Sequence, residues 1–373
     1  MATTKAVFPL LFSLFVFFLL LLPHACIDAQ SLKVCKFDGI YQLGDSVSDT
    51  GNLIREKPAL PFARLPYGQT FFKKPTGRCS NGLLIIDYIT QAAGIPLLDP
   101  SLDTDALFTR GRGENFAVAG STALSADVLA KKNISPTLTN SSLSVQLDWM
   151  LSHFNGICFN ANDCAEKLKT ALFLVGEIGG NDYEYALFQG KSIEEVTDLV
   201  PEVVQAIKDT VTKVISNGGA RVVVPGLFPI GCLPIYLTGF HSNNSADYDE
   251  SHCLKRLNTL SIYHNDQLKQ AIEVLRKENP GVVIVYGDYY KASQWVFSHA
   301  PGLGFDAASV QKSCCGVGGD YLFSKDRMCG NPGVPVCANP DARISWDGVH
   351  MTGKANQHIA NWLIQDILPT LHC

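Results

Sequence analysis

The chain contains 373 residues, of which 46% are hydrophobic and 17% are charged, and its formal net charge at pH 7 is -5. This composition provides enough apolar surface for a large core. It lacks the basic excess that nucleic-acid-binding surfaces need, so we exclude nucleic acid as a partner. No linker of biased composition, charge block or repeat marks a domain boundary, which favours one large domain over residues 30–373.

The first 29 residues have the pattern of a secretory signal peptide. Lys5 gives a positively charged start, residues 7–22 are almost wholly apolar, and the small residue Ala29 precedes the expected cleavage point at Gln30. An uncleaved anchor is the alternative, but the apolar run is short for the roughly 20 residues that span a bilayer. We expect a protein of the secretory pathway, destined for the apoplast or vacuole, with no stable membrane anchor.

Strand-like and helix-like segments then alternate along the chain, which indicates β-α-β units and a parallel sheet. The fully apolar segment 171–175 is typical of a strand that is buried on both faces. The predicted elements, in chain order, are a strand at 39–43, a helix capped by Ser80 and ended by Gly94, a short apolar stretch at 116–119, a strand at 171–175, a helix over 193–217, a strand at 221–224, a helix over 249–278, a strand at 281–286 and a helix over 352–368.

The cysteines agree with secretion. Of the 12 cysteines, Cys26 lies in the predicted signal peptide, and the density of the others is typical of disulfide-bonded secreted proteins. Cys158–Cys164 and Cys232–Cys253 are candidate pairs, and the odd number that remains leaves one thiol free or bonded to another molecule. A zinc site is disfavoured because no Cys-x-x-Cys pair is present, and we expect neither a metal nor a cofactor.

Three Asn-x-Ser triplets are candidate N-glycosylation sites. They begin at Asn133, Asn140 and Asn243, and all lie in polar stretches of the sequence. Together with the signal peptide, they predict a secreted glycoprotein.

Unusual polar residues lie near the carboxyl ends of the predicted strands. Ser46 follows the first strand, Gly120 follows the stretch at 116–119, and Asn181 comes shortly after the strand at 171–175. Asp347 and His350 precede the last helix. Because the carboxyl ends of parallel strands meet at one edge of a sheet, we expect these residues to converge there.

Each of these residue types suits one role in acyl transfer. Ser46 can attack a carbonyl once a base takes its proton, His350 can be that base, and Asp347 can hold the imidazole in the correct tautomer. The backbone amides of Ser46 and Gly120 and the side-chain amide of Asn181 can stabilise the oxyanion. The pattern predicts a serine hydrolase. The Gly-x-Ser-x-Gly elbow is absent, which disfavours the α/β-hydrolase fold.

The motifs around these residues resemble those of the plant GDSL esterase/lipase family of the SGNH-hydrolase superfamily. Four family blocks occur in order, and the resemblance extends over nearly the whole mature chain. The blocks are the segment 44–52, the stretch around Gly120, the segment 179–182 and the segment 347–350. Val47 stands where the family name has leucine, a position without a chemical role. The resemblance implies a flavodoxin-like three-layer α/β/α sandwich with a five-stranded parallel sheet. It also implies the same catalytic and oxyanion roles for the residues described above.

Within the family, the chain resembles the branch of acetylajmalan and sinapine esterases. The resemblance lies in the segments 40–46, 75–80 and 224–232. This resemblance implies an acyl ester of a small specialised metabolite, such as an acetylated indole alkaloid, as the substrate. We expect a monomer that deacylates this ester with water. The alternatives are an acyltransferase or a lipid or choline-ester esterase on the same site. A non-catalytic binding glycoprotein is an alternative from another class, although a binding protein has no need of a complete catalytic set.

Overall fold

A five-stranded parallel sheet lies at the centre of the protein, with the strand order β2-β1-β3-β4-β5. The computed structural model describes residues 32–103 and 112–373, so the predicted signal peptide lies outside the described residues. This order is the flavodoxin-like one, in which the chain changes direction across the sheet between β1 and β3. The strands are β1 Ile40–Leu43, β2 Gly113–Asn115, β3 Leu172–Val175, β4 Arg221–Pro225 and β5 Val283–Gly287.

Helices occupy both faces of this sheet. One row of neighbouring helices is formed by α4, α8 and α10, and the other by α2, α12 and α11. The described α-helices are α1 Asn52–Glu56, α2 Ile85–Ala93, α3 Ala126–Lys131, α4 Leu143–Ile157, α5 Ala161–Leu168, α6 Gly180–Phe188, α7 Ile193–Thr197, α8 Val200–Ser216, α9 Pro234–Gly239, α10 Lys255–Glu278, α11 Tyr289–Ser298 and α12 Gly353–Ile367.

The burial of the strands and helices follows their apolar pattern. All four residues of β3 are buried, as expected for a strand that is covered on both faces. Helix α8 buries a stripe of side chains at helical spacing, which includes Val200, Val203, Val204, Ile207 and Val211. The three-layer α/β/α arrangement predicted from the sequence is confirmed. No helix within the two described ranges has both the length and the apolar run needed to cross a membrane.

Three predicted helix boundaries were wrong. The helix predicted to begin near Ser80 starts at Ile85, where the side chain of Asp87 accepts the backbone N–H of Leu84 at 2.8 Å. The helix predicted over 193–217 is divided into α7 and α8, because Pro201 in the first turn of α8 has no N–H to continue the bonding of α7. The helix predicted over 249–278 begins only at Lys255.

Five disulfides join ten of the described cysteines. They include the two predicted pairs, Cys158–Cys164 and Cys232–Cys253, which are therefore confirmed. Cys79 is the free thiol that the odd number required, and it is buried. The other bridges are Cys35–Cys373, which connects the two ends of the described chain, and Cys314–Cys337 and Cys315–Cys329, which lie close together in sequence.

Candidate active site

Ser46 lies just beyond β1 at the carboxyl edge of the sheet, and β1 lies between β2 and β3. The turn that carries it is anchored by the buried side chain of Gln146 on α4. The Gln146 carbonyl oxygen accepts the N–H of Gly44 at 2.9 Å, and its amide nitrogen donates to the Gly44 carbonyl at 2.8 Å. A two-point hydrogen bond of this kind determines both the position and the orientation of the backbone that leads into Ser46.

Asp347 and His350 lie in a turn immediately before α12. The Asp347 carboxylate accepts the backbone N–H groups of Val349 at 3.0 Å and His350 at 2.8 Å through Oδ1. Its Oδ2 lies 2.7 Å from Nδ1 of His350 and accepts the hydroxyl of Tyr67 at 2.9 Å. An ionised carboxylate can only accept, so Nδ1 carries the proton and the neutral imidazole leaves Nε2 free to act as a base.

Burial and mutual attraction act in opposite directions on the pKa values of this pair. Burial raises the pKa of Asp347, but His350 and the hydrogen bonds that it and Val349 donate outweigh burial, and the pKa is lowered overall. Burial lowers the pKa of His350, but the charge of Asp347 and the hydrogen bond between the two side chains raise it above 6.5. The Asp347 carboxylate is therefore suited to stabilise the protonated imidazole of His350 during a reaction.

The predicted backbone donors of the oxyanion hole are unpaired. Neither the N–H of Ser46 nor that of Gly120 has an acceptor within the described part of the chain. Gly120 has φ +84°, and a Cβ atom added there would lie 2.5 Å from the Cβ of Leu138, so only glycine fits. The buried Asp49 carboxylate accepts the Ala119 N–H at 2.8 Å and also several N–H groups after Ser46, so it connects the two donor segments.

Asn181 lies in the first turn of α6 and has its amide group at the same site. Its Nδ2 donates to the carbonyl of Ser121 at 2.8 Å and to Oδ2 of Asp45 at 3.1 Å. Both amide protons are therefore in use, and donation to an oxyanion requires release of the longer bond to Asp45. Burial raises the pKa of Asp45 to about 7. Near neutral pH its carboxyl group therefore competes less strongly than an ordinary aspartate with an oxyanion for the Asn181 amide proton.

Two cavities meet at the predicted catalytic residues Ser46 and His350. The larger has a volume of about 370 Å³ and the smaller about 70 Å³. Within the described residues, no hydrogen bond joins the Ser46 hydroxyl to His350, as is common when a hydrolase site holds no substrate. The residues that line both cavities are Ser46, Asn181, Glu184, Val349 and His350. The structure therefore brings the predicted residues Ser46, Gly120, Asn181, Asp347 and His350 to one place.

The roles of three residues of this site were not predicted. Tyr67 donates a hydrogen bond to Asp347, and Gln146 accepts one from Gly44. Glu184 lines both cavities. Glu184 could have been found, because it lies three residues after Asn181 and therefore on the same face of a helix. Tyr67 and Gln146 carry no comparable signal, since their partners are distant in the sequence.

A parallel α/β sandwich with a serine, a histidine and an aspartate at the carboxyl edge of its sheet has the arrangement of a hydrolase. A family model described as GDSL-like lipase/acylhydrolase matches residues 40–363. The chain belongs to this family and is a carboxylic-ester hydrolase.

Similar proteins agree with this assignment. Acetylajmalan esterase 1 of Rauvolfia serpentina is 46% identical over 98% of this chain and 93% of its own length. The GDSL esterase/lipase At5g03980 of Arabidopsis thaliana is 42% identical over 100% of this chain and 99% of its own. The solved phospholipase A1 of Streptomyces albidoflavus NA297 covers 90% of this chain and 99% of its own at 14% identity, but a TM-score of 0.36 supports no conclusion.

Proposed function

We propose that this chain is a serine esterase that removes a short acyl group from a small metabolite through an acyl-enzyme intermediate. The observation that carries the proposal is the position of Ser46 and His350 on the wall shared by two cavities, with Asp347 bonded to Nδ1 of His350. Cavities of unequal size on either side of a nucleophile suit an ester whose acyl and alcohol parts differ in size.

In the proposed cycle, Ser46 Oγ attacks the ester carbonyl while Nε2 of His350 takes the hydroxyl proton. Asp347 stabilises the imidazolium, and the N–H groups of Ser46 and Gly120, with Asn181, stabilise the oxyanion. His350 then gives its proton to the leaving alcohol. Water attacks the acyl-enzyme with His350 again as the base, which releases the acid and restores Ser46.

The cavity sizes support a substrate with a short acyl group. A volume of about 70 Å³ holds only a few non-hydrogen atoms, whereas about 370 Å³ is within the range of small-molecule pockets, about 300–1,000 Å³. We assign the acyl group to the smaller cavity and the alcohol to the larger. Together with the similarity to acetylajmalan esterases, this assignment favours an acetylated alkaloid or a comparable metabolite as the substrate.

A series of p-nitrophenyl esters tests this assignment. We expect kcat/KM to be highest for the acetate and butyrate, and to fall by at least about tenfold for the palmitate, because a long chain cannot enter the smaller cavity. The measurement is the initial rate of p-nitrophenol release at substrate concentrations below micelle formation. A preference for the palmitate would contradict the proposed acyl pocket and favour a lipase.

The proposed base determines the pH dependence. His350 must be neutral to accept a proton, and its pKa is raised above 6.5 by Asp347. We therefore expect kcat/KM for p-nitrophenyl acetate to fall about tenfold per pH unit below a midpoint that lies above 6.5. Since the pKa of Asp45 is about 7, the variant Asp45→Asn serves as the control and should keep the acidic decline. A flat profile from pH 7 to pH 5 would exclude His350 as the base.

We further propose that the enzyme is a monomeric glycoprotein of the secretory pathway, located in the apoplast or vacuole. The five disulfides support an oxidising compartment, and Asn133, Asn140 and Asn243 are exposed. Intact mass before and after enzymatic removal of N-glycans from secreted protein tests glycosylation, and an unchanged mass would refute it.

A further inference from the structure

Glu184 is a carboxylate in the catalytic cleft without a protein partner. It lies three residues after Asn181 on α6, and it lines both the larger and the smaller cavity. Within the described ranges its side chain makes no hydrogen bond and no ion pair, unlike Asp45, Asp49, Asp182 and Asp347, which accept backbone or side-chain donors. Burial raises the pKa of Glu184, and the attraction of His350 and Lys325 offsets this effect only in part, so a carboxylate that is costly to bury faces the cavities without a directly bonded partner.

The protein cations near Glu184 attract its carboxylate but make no hydrogen bond to it within the described residues. Lys325 lines the larger cavity and attracts Glu184 electrostatically. Its ammonium group lies over the ring of Phe188, 3.0 Å from the centroid, and no ion pair with Glu184 is formed within the described residues. His350 is neutral in the resting enzyme when it acts as a base. Asp45 and Glu177 line the smaller cavity and add acidic groups to the cleft. Within residues 32–103 and 112–373, no cation of the cleft therefore forms a close ion pair with Glu184, which leaves its carboxylate available to a cationic ligand.

The wall of the larger cavity is also suited to a cation. It contains the aromatic rings of Phe62, Tyr185 and Phe323. Aromatic faces attract ammonium groups, and they do so more strongly when the site is shielded from water. An unpaired carboxylate and aromatic rings in the wall of one cavity are together suited to an alkylated ammonium group, which is bulky, apolar at its surface and positively charged.

We propose that Glu184 selects esters whose alcohol part carries an organic ammonium group, which binds in the larger cavity. This inference rests on the proposed function, because it assigns a specificity role within the same catalytic cleft. The substrate class is then a short-chain ester of an amino alcohol or of an alkaloid that is protonated at nitrogen. Glu184 acts on binding of the charged group and takes no part in the transfer of the acyl group.

Two isosteric esters test the proposal. Acetylcholine and 3,3-dimethylbutyl acetate have nearly the same shape, but only the first carries a positive charge. We expect the ratio of their kcat/KM values to fall about tenfold in Glu184→Gln, as loss of one close charge pair in a partly shielded site predicts. The ratio cancels any effect of the substitution on the chemical step that the two esters share. The matched control is Glu250→Gln, which removes an exposed carboxylate that lines none of the cavities described above.

The outcomes separate this inference from the proposed function. An unchanged ratio in Glu184→Gln, with both esters hydrolysed by a Ser46-dependent reaction, would overturn the role of Glu184 alone. Absence of any Ser46-dependent hydrolysis would instead overturn the proposed function. If acetylcholine is not hydrolysed, inhibition of p-nitrophenyl acetate hydrolysis by tetramethylammonium decides. We expect its inhibition constant to rise about tenfold in Glu184→Gln, and equal constants in the two enzymes would overturn the proposal.

Discussion

Ser46→Ala is expected to lower kcat for p-nitrophenyl acetate by at least about 1,000-fold, since the substitution removes the hydroxyl group that we propose forms the acyl-enzyme. The Ser46 side chain makes no hydrogen bond within the described residues, so its loss should leave the fold intact. The oxyanion donors would remain in the variant and could account for the small residual rate. The measurement is the steady-state rate of p-nitrophenol release by the secreted enzyme.

The control for this substitution is Ser48→Ala. Ser48 is a buried serine two residues further along the same turn, and we expect its removal to leave most of the activity. A fluorophosphonate probe gives an independent readout, because it should label wild type and Ser48→Ala but not Ser46→Ala. Substantial ester hydrolysis by Ser46→Ala would refute the assignment of the nucleophile.

Asp347→Asn is expected to lower kcat by about 1,000- to 10,000-fold. The Asp347 Oδ1 atom accepts two backbone N–H groups, so an asparagine carbonyl oxygen should take its place. The amide nitrogen would then face Nδ1 of His350, which would have to become an acceptor. The imidazole would carry its proton on Nε2, the wrong nitrogen for a base. The measurement is kcat together with the pH profile of kcat/KM.

The pH profile distinguishes this explanation from a general loss of structure. The carboxylate of Asp347 raises the pKa of His350, so the acidic decline of any residual activity should move to lower pH in Asp347→Asn. Tyr67→Phe is the matched control, because it removes one hydrogen bond to Oδ2 without changing the imidazole tautomer. We expect a decrease in kcat of about tenfold or less for Tyr67→Phe. An unshifted pH profile in Asp347→Asn would contradict the role given to the carboxylate.

Much of the fold was predictable from the periodicity of the sequence. The strand β3 is apolar at every position and was found to be buried. The long helix α8 has an apolar stripe at helical spacing. The helix starts were less predictable, because Ser80 has the chemistry of a cap but Leu84 and Asp87 make the capping contact. Several polar residues near a helix start can serve as its cap, and packing decides among them.

The predictability of the site differed between its catalytic and its supporting residues. Ser46, Asn181 and His350 could be proposed because each lies near a strand end or a helix start, and a parallel sheet brings such positions to one edge. The supporting contacts had no such signal. Tyr67 and Asp347 are 280 residues apart in the sequence, and Gln146 and Gly44 are 102 residues apart.

The sequence by itself determined the α/β class, the family and the set of residues that converge at the edge of the sheet. These properties follow from local periodicity and from short ordered motifs, which keep their meaning without knowledge of distant contacts. Only the tertiary structure decided that Asn181 is bonded to Asp45, that two unequal cavities meet at Ser46, and that Glu184 faces them unpaired. The physical reason is that cavity shape, burial and the pairing of charges depend on which distant segments pack together.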